Sequence, residues 1–193
     1  MSAIAVDSAT DALIIVDVQN DFCPGGALAV PSGHEVVPVI NQLLQHHWLT
    51  VATKDWHPAD HCSFKPHGGP WPPHCVQETA GAALHPELNA TKIQLVITKG
   101  THPEREAYSG FQGTELARIL RGKGVKRVIV CGLATDYCVR ATAQDAVQEG
   151  FEVLVLEDAI RGVEVHPGDC QHALEELRQA GVKVIVSSDL SFN

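Results

Sequence analysis

Short β-branched apolar runs alternate along the chain with amphipathic stretches. Residues 12–17 are apolar without a break until Asp17, the pattern of a strand covered on both faces. Val36, Val37, Ile40, Leu43 and Leu44 follow at helical spacing, and Pro38 is tolerable only in the first turn. Residues 49–55 and 94–99 read as the second and third strands. Thr114 is placed to cap a helix carrying Leu116, Ile119 and Leu120 that stops near Gly122. Residues 127–131 predict a fourth strand, and residues 136–149 a helix with Val139, Ala143, Ala146 and Val147 on one face. A fifth strand over 152–156, a helix capped by Asp169 and carrying Ala173, Leu174 and Leu177, and a sixth strand over 182–186 complete the series. Alternation of this kind predicts an α/β sandwich around a mainly parallel sheet. At 193 residues the chain suits a single domain spanning 1–193.

One segment breaks the rhythm. Residues 56–92 are rich in Pro, Gly and His, with a short helix predicted only over 80–88. Connections this long inside a compact domain are usually functional. Five of the eleven histidines (His57, His61, His67, His74 and His85) fall in this segment. The formal charge of −9 argues against nucleic acid or an anionic membrane as partner. No apolar run is long enough to span a bilayer, and residues 1–10 lack the basic and apolar regions of a signal peptide. Six cysteines without a CxxC pair read as reduced thiols, so a cytoplasmic location is expected. The oligomeric state is open, a homo-oligomer included.

The histidine-rich segment offers metal chemistry. Asp55 and His57 are two apart, so on an extended chain both side chains point to one side. His61 lies one loop turn onward, and Pro72 and Pro73 stiffen the approach to His74. Three imidazoles and a carboxylate suit one divalent ion such as zinc, iron or manganese. The competing reading is a set of solvated loop histidines, the role assigned to His67 and His85. Cys62 and Cys75 are rival ligands by type, though a thiolate is less expected beside an oxygen-rich iron or manganese site.

Cys138 sits just after the fourth strand. If Thr135 or Asp136 caps the following helix, Cys138 falls in its first turn, where free amides and the positive dipole end favour a thiolate. The same amides suit an oxyanion. The competing reading is a small core residue, the usual fate of a free cysteine. Asp17 ends the first strand and Lys99 the third, at the strand ends where open α/β sheets form their ligand crevice. A carboxylate there suits proton transfer to and from the thiol, and an ammonium favours the thiolate.

At these residues the chain resembles the nicotinamidase/pyrazinamidase branch of the isochorismatase-like cysteine hydrolases. The matching segments are residues 14–22 (IIVDVQNDF), 54–57 (KDWH) with Asp60 and His61, 71–75 (WPPHC), Lys99-Gly100, 108–111 (YSGF) and 133–139 (LATDYCV). The resemblance implies a triad of Asp17, Lys99 and Cys138, and a divalent metal on Asp55, His57, His61 and His74. It also implies a six-stranded sheet ordered 3-2-1-4-5-6 and a cis Leu133–Ala134 peptide aiming the Ala134 and Cys138 amides at an oxyanion. Phe22 and Trp71 resemble the walls that sandwich a pyridine ring, with Leu28, Tyr108 and Tyr137 completing the pocket. The implied activity is hydrolysis of nicotinamide, and of its pyrazine analogue pyrazinamide, to the acid and ammonia in NAD salvage. The alternatives are a carbamoyl- or ureido-amidohydrolase of the same superfamily, whose members lack the metal ligands, and a non-catalytic metal-binding protein on this fold. A dinucleotide-binding protein is disfavoured, because no GxGxxG follows the first strand.

Overall fold

The computed structural model describes residues 3–192. Six parallel strands form one sheet: β2 (Asp11–Val16), β3 (Leu49–Asp55), β4 (Leu95–Lys99), β5 (Arg127–Leu133), β6 (Glu152–Arg161) and β7 (Lys183–Ile185). Their spatial order is β4-β3-β2-β5-β6-β7, which is 3-2-1-4-5-6 when these six are counted in chain order, as expected. A separate parallel pair joins β1 (Ile4–Val6) to β8 (Leu190–Phe192), a feature the apolar pattern did not predict.

The sheet buries both faces, which explains the unbroken apolar runs. Leu13, Ile15, Ile129 and Leu154 face helix α1 (Val36–Leu43) together with Cys75, Ala82 and Leu88 from the long connection. Ile14, Val16, Val128 and Val130 face α2 (Leu116–Gly122), α3 (Arg140–Gln148) and α4 (Asp169–Gln179).

Four local expectations change. The short helix over 80–88 shrinks to a single 3-10 turn, Ala80–Ala82. Asp169 does not cap α4 but opens it; Gly168 occupies the cap position in a left-handed conformation, and the Asp169 carboxylate accepts the His166 amide. Strand β6 runs on to Arg161, with a register shift against β5. The helix predicted over 136–149 divides into a wide π-helical turn, Thr135–Val139, and α3.

The chain moves outward from β2 to β3 and β4, then crosses back to β5 on the other side of β2. That reversal leaves a crevice beyond the carboxyl ends of the strands. Asp17, Asp55, Lys99 and the Thr135–Val139 turn all sit there.

Candidate active site

Asp17 follows the last residue of β2 with a left-handed φ of 48°, uncommon for a residue other than glycine. Thr53, one strand away on β3, holds it there. The Asp17 amide donates to the Thr53 carbonyl at 3.2 Å, and the Thr53 hydroxyl donates to Asp17 Oδ1 at 2.7 Å. The other oxygen, Oδ2, lies 2.8 Å from Lys99 Nζ but receives no aligned hydrogen bond. It is therefore open to a proton.

Lys99 is buried at the end of β4, and its ammonium is the hub of the site. Nζ donates to Asp55 Oδ1 at 2.5 Å, to the Ala107 carbonyl at 3.2 Å and to Cys138 Sγ at 3.4 Å, besides its contact with Asp17. Three N–H groups thus face four acceptors, and the sulfur is the most distant of them. Burial alone would lower the lysine's proton affinity, but the Asp17 and Asp55 carboxylates outweigh it and hold the ammonium charged.

Cys138 lies in the π-helical turn, not in the first turn of an α-helix, and its sulfur is within 4.8 Å of carboxylate oxygens of both Asp17 and Asp55. Its thiol is pushed well above the ordinary cysteine range, first by burial and then by the two carboxylates, against the pull of Lys99. Burial and two negative neighbours outweigh one ammonium and a short helical turn, so the thiol needs a base. Burial also raises the Asp17 carboxyl, with Lys99 opposing, which suits a group that must hold a proton. The Leu133–Ala134 peptide before the turn is cis.

Asp55 ends β3 and shares its carboxylate between Lys99 and two imidazoles. Burial raises its proton affinity, but Lys99, His57 and His74 together hold it well below the usual carboxylate range. His57 Nδ1 donates to the Gly100 carbonyl at 2.8 Å, so in the neutral ring the lone pair sits on Nε2. That Nε2 is buried without a hydrogen-bond partner and faces Asp55 Oδ2 at 3.4 Å. His74 Nδ1 likewise donates to the Pro72 carbonyl, turning Nε2 toward the same Asp55 oxygen at 3.8 Å. Two imidazole lone pairs and an ionised oxygen converge on one point, an arrangement that a divalent cation fits. The charges agree, because two buried carboxylates face one buried ammonium.

His61 is placed differently from the other three. Its ring stacks on His57 with centroids 4.1 Å apart, but Nε2 donates to the Arg105 carbonyl at 3.0 Å and Nδ1 bonds to the Ser63 hydroxyl at 2.7 Å. Both nitrogens are committed, so only Asp55, His57 and His74 converge. The half-buried Glu106 also reaches the His57–His61 pair.

Above these groups opens a pocket lined by Phe22, Leu28, Trp71, Tyr108 and Tyr137, with Cys138, Asp55 and His74 among the polar lining. The Trp71 indole N–H donates to the Tyr108 hydroxyl at 3.0 Å, and the Trp71 and Tyr137 rings meet edge-on at 5.1 Å. All five aromatic and apolar residues singled out from the sequence therefore line one pocket.

Two supporting residues, both inside the segment 14–22, were not singled out from the sequence. Gln19 is buried and clamps β3 from both sides: its side chain donates to the Asp55 carbonyl at 2.8 Å and accepts the Asp55 amide at 2.9 Å. Asp21 accepts the Cys75 amide at 2.7 Å, fixing the chain just beyond His74. The run of three polar residues, Gln19-Asn20-Asp21, soon after an apolar strand was the available signal.

The family model for the isochorismatase domain matches residues 11–189. The chain belongs to the isochorismatase family. Among its curated relatives, the nicotinamidase/pyrazinamidase of Mycobacterium tuberculosis is 47% identical over 190 residues, covering 92% of this chain and 99% of the relative. Two solved structures of the family agree in shape. PnC1 from L. infantum, in complex with nicotinate, superposes with a TM-score of 0.95 at 44% identity and covers 99% of this chain and 100% of its own. The pyrazinamidase of Pyrococcus horikoshii, in complex with zinc, gives 0.82 at 51% identity over 91% of this chain and 98% of its own.

Proposed function

We propose that this isochorismatase-family chain is an amidohydrolase that converts nicotinamide, and its pyrazine analogue pyrazinamide, to the corresponding acid and ammonia. The observation that carries the reading is the buried Lys99 ammonium, which touches the base Asp17, the metal-facing Asp55 and the nucleophile Cys138 at once. Asp17 takes the thiol proton of Cys138, and the sulfur attacks the amide carbon. The Ala134 and Cys138 amides hold the resulting oxyanion. Asp17 returns the proton to the amide nitrogen, the C–N bond breaks, and ammonia leaves a thioester on Cys138. Water then gives a proton to Asp17 and attacks the thioester carbon. The acid departs, and the proton on Asp17 restores the thiol. Lys99 stays charged throughout and keeps Asp17 available as a base.

Asp55, His57 and His74 are the proposed ligands of one divalent ion (zinc, iron or manganese), with His61 as a fourth once its Nε2 is released from Arg105. Such an ion supplies a Lewis-acidic anchor for a ring nitrogen. Phe22, Leu28, Trp71, Tyr108 and Tyr137 hold the flat ring by stacking and edge contacts. The reading places the chain in the cytoplasm, in NAD salvage, as one domain whose 56–92 insertion carries the metal ligands. No described helix is long and apolar enough to cross a membrane.

The test is ammonia release from nicotinamide by the purified protein, before and after chelation, alongside Cys138→Ala. Turnover that needs both the ion and the thiol is expected. Turnover retained by Cys138→Ala overturns thioester catalysis, and metal-independent release from ureido compounds alone transfers the chain to the carbamoyl- and ureido-hydrolysing branch.

A further inference from the structure

Asp136 is buried, lies two residues before Cys138 and has no part in the chemistry above. Each of its carboxylate oxygens accepts a backbone amide from a distant loop. Oδ1 takes the Val163 amide at 2.9 Å, and Oδ2 takes the Glu164 amide at 2.8 Å. That loop joins β6 to α4, and its Val163 lines the aromatic pocket. Glu164 has a left-handed φ of 54°, a conformation that lets successive amides converge on one anion. Gly162 is wedged beneath: a Cβ there would lie 1.9 Å from Cys170 Sγ and 3.1 Å from Asp136 Oδ1. The nucleophile's turn, by contrast, closes on its own backbone, because the Tyr137 and Val139 amides both bond to the Ala134 carbonyl.

We propose that Asp136 is a positioning residue that anchors the 162–164 loop, so that Val163 forms one wall of the slot for the heteroaromatic ring. It thereby governs affinity and ring-size selection without touching the reacting atoms. The proposal rests on the amidase reading for its substrate, but the anchor itself does not. An ionised carboxylate accepting two amides is a strong, charge-assisted clamp. Asparagine retains one acceptor and sets its NH₂ group against the second amide, so Asp136→Asn keeps one bond, breaks the second and leaves two donors facing each other there.

Two measurements test it. In hydrogen exchange, Asp136→Asn is expected to speed exchange of the Val163 and Glu164 amides while those of Tyr137 and Val139 keep their protection. Wild-type exchange at 163 and 164 in that variant overturns the anchor, whatever the protein's substrate. In nicotinamide kinetics, Asp136→Asn and Val163→Ala should each raise KM about tenfold with kcat changed less than about threefold, the pattern of lost uniform binding. Both variants should also gain on a bicyclic ring amide relative to nicotinamide. Gly162→Ala is expected to raise KM through the clash with Cys170, and adding Cys170→Ala to restore it. A lower melting temperature with unchanged KM and unchanged ring preference reduces Asp136 to a structural residue and overturns the proposal. A wild-type protein inert toward nicotinamide defeats the amidase reading, and the exchange result then stands or falls alone.

Discussion

His57 and His74 spend Nδ1 on backbone carbonyls and turn Nε2 to Asp55, whereas His61 donates its Nε2–H to the Arg105 carbonyl. The three histidines should therefore contribute unequally. His57→Ala and His74→Ala are expected to weaken zinc binding by more than about a hundredfold, and His61→Ala by only about tenfold, the low end of the roughly 10–100-fold range seen for groups supporting a metal's ligands. Competitive titration against a chromogenic chelator separates the cases; equal losses at all three positions would show that Arg105 yields readily. Lys99 is a second unequal partner. Lys99→Met leaves Asp17 and Asp55 buried with no ammonium between them, and loss of one member of a buried charge cluster costs about 3–5 kcal/mol. Urea unfolding of the metal-free variant should register that loss, whereas Cys138→Ala, which removes only the most distant of the lysine's acceptors, should not.

At the scale of single elements, the loop after β4 is held against the segment that follows β3 by close contact. Gly100 has φ of 61°, and a Cβ there would stand 2.5 Å from His57 Cε1. Gly100→Ala is thus expected to tilt the imidazole and weaken metal binding about tenfold or more, since displaced ligand geometry is costly at a metal site. Cobalt absorption spectra of the variant would reveal the distortion even without substrate.

The long strands and α1 were legible because the residues that define them are contiguous and their periods differ plainly. The π-helical turn was not, because five residues carry too few apolar positions to tell a wide turn from an α-helical one. The three-residue strands β1 and β8 were too short to show alternation. The hydrogen bond from His61 to the Arg105 carbonyl was not legible, because the two residues lie 44 apart in sequence. The thiol state of Cys138 depends on charges from β3, β4 and the residue after β2 packed around one sulfur, which no local pattern encodes.

For the molecule as a whole, the proposed metal ligands lie on β3 and on the 56–92 connection, whose Cys75, Ala82 and Leu88 belong to the core beside α1. An ion bound there ties the connection to the sheet. With ion present at about 1,000 times its dissociation constant, the native state gains about 4 kcal/mol. For a chain of this size, each kcal/mol moves the melting temperature by roughly 2–4 °C. Calorimetry should accordingly show a rise of about 8–16 °C on adding zinc to the stripped protein, and His57→Ala should abolish most of it.

The β1–β8 pair makes the beginning and the finish of the described chain into mutual guardians. Ile4, Ala5 and Val6 have Leu190, Ser191 and Phe192 as their ladder partners, and the Phe192 ring stacks on His46 with centroids 3.6 Å apart. A trimming enzyme that removed 190–192 would unzip 4–6 in the same act, so shortening either terminus should leave the opposite one open to digestion.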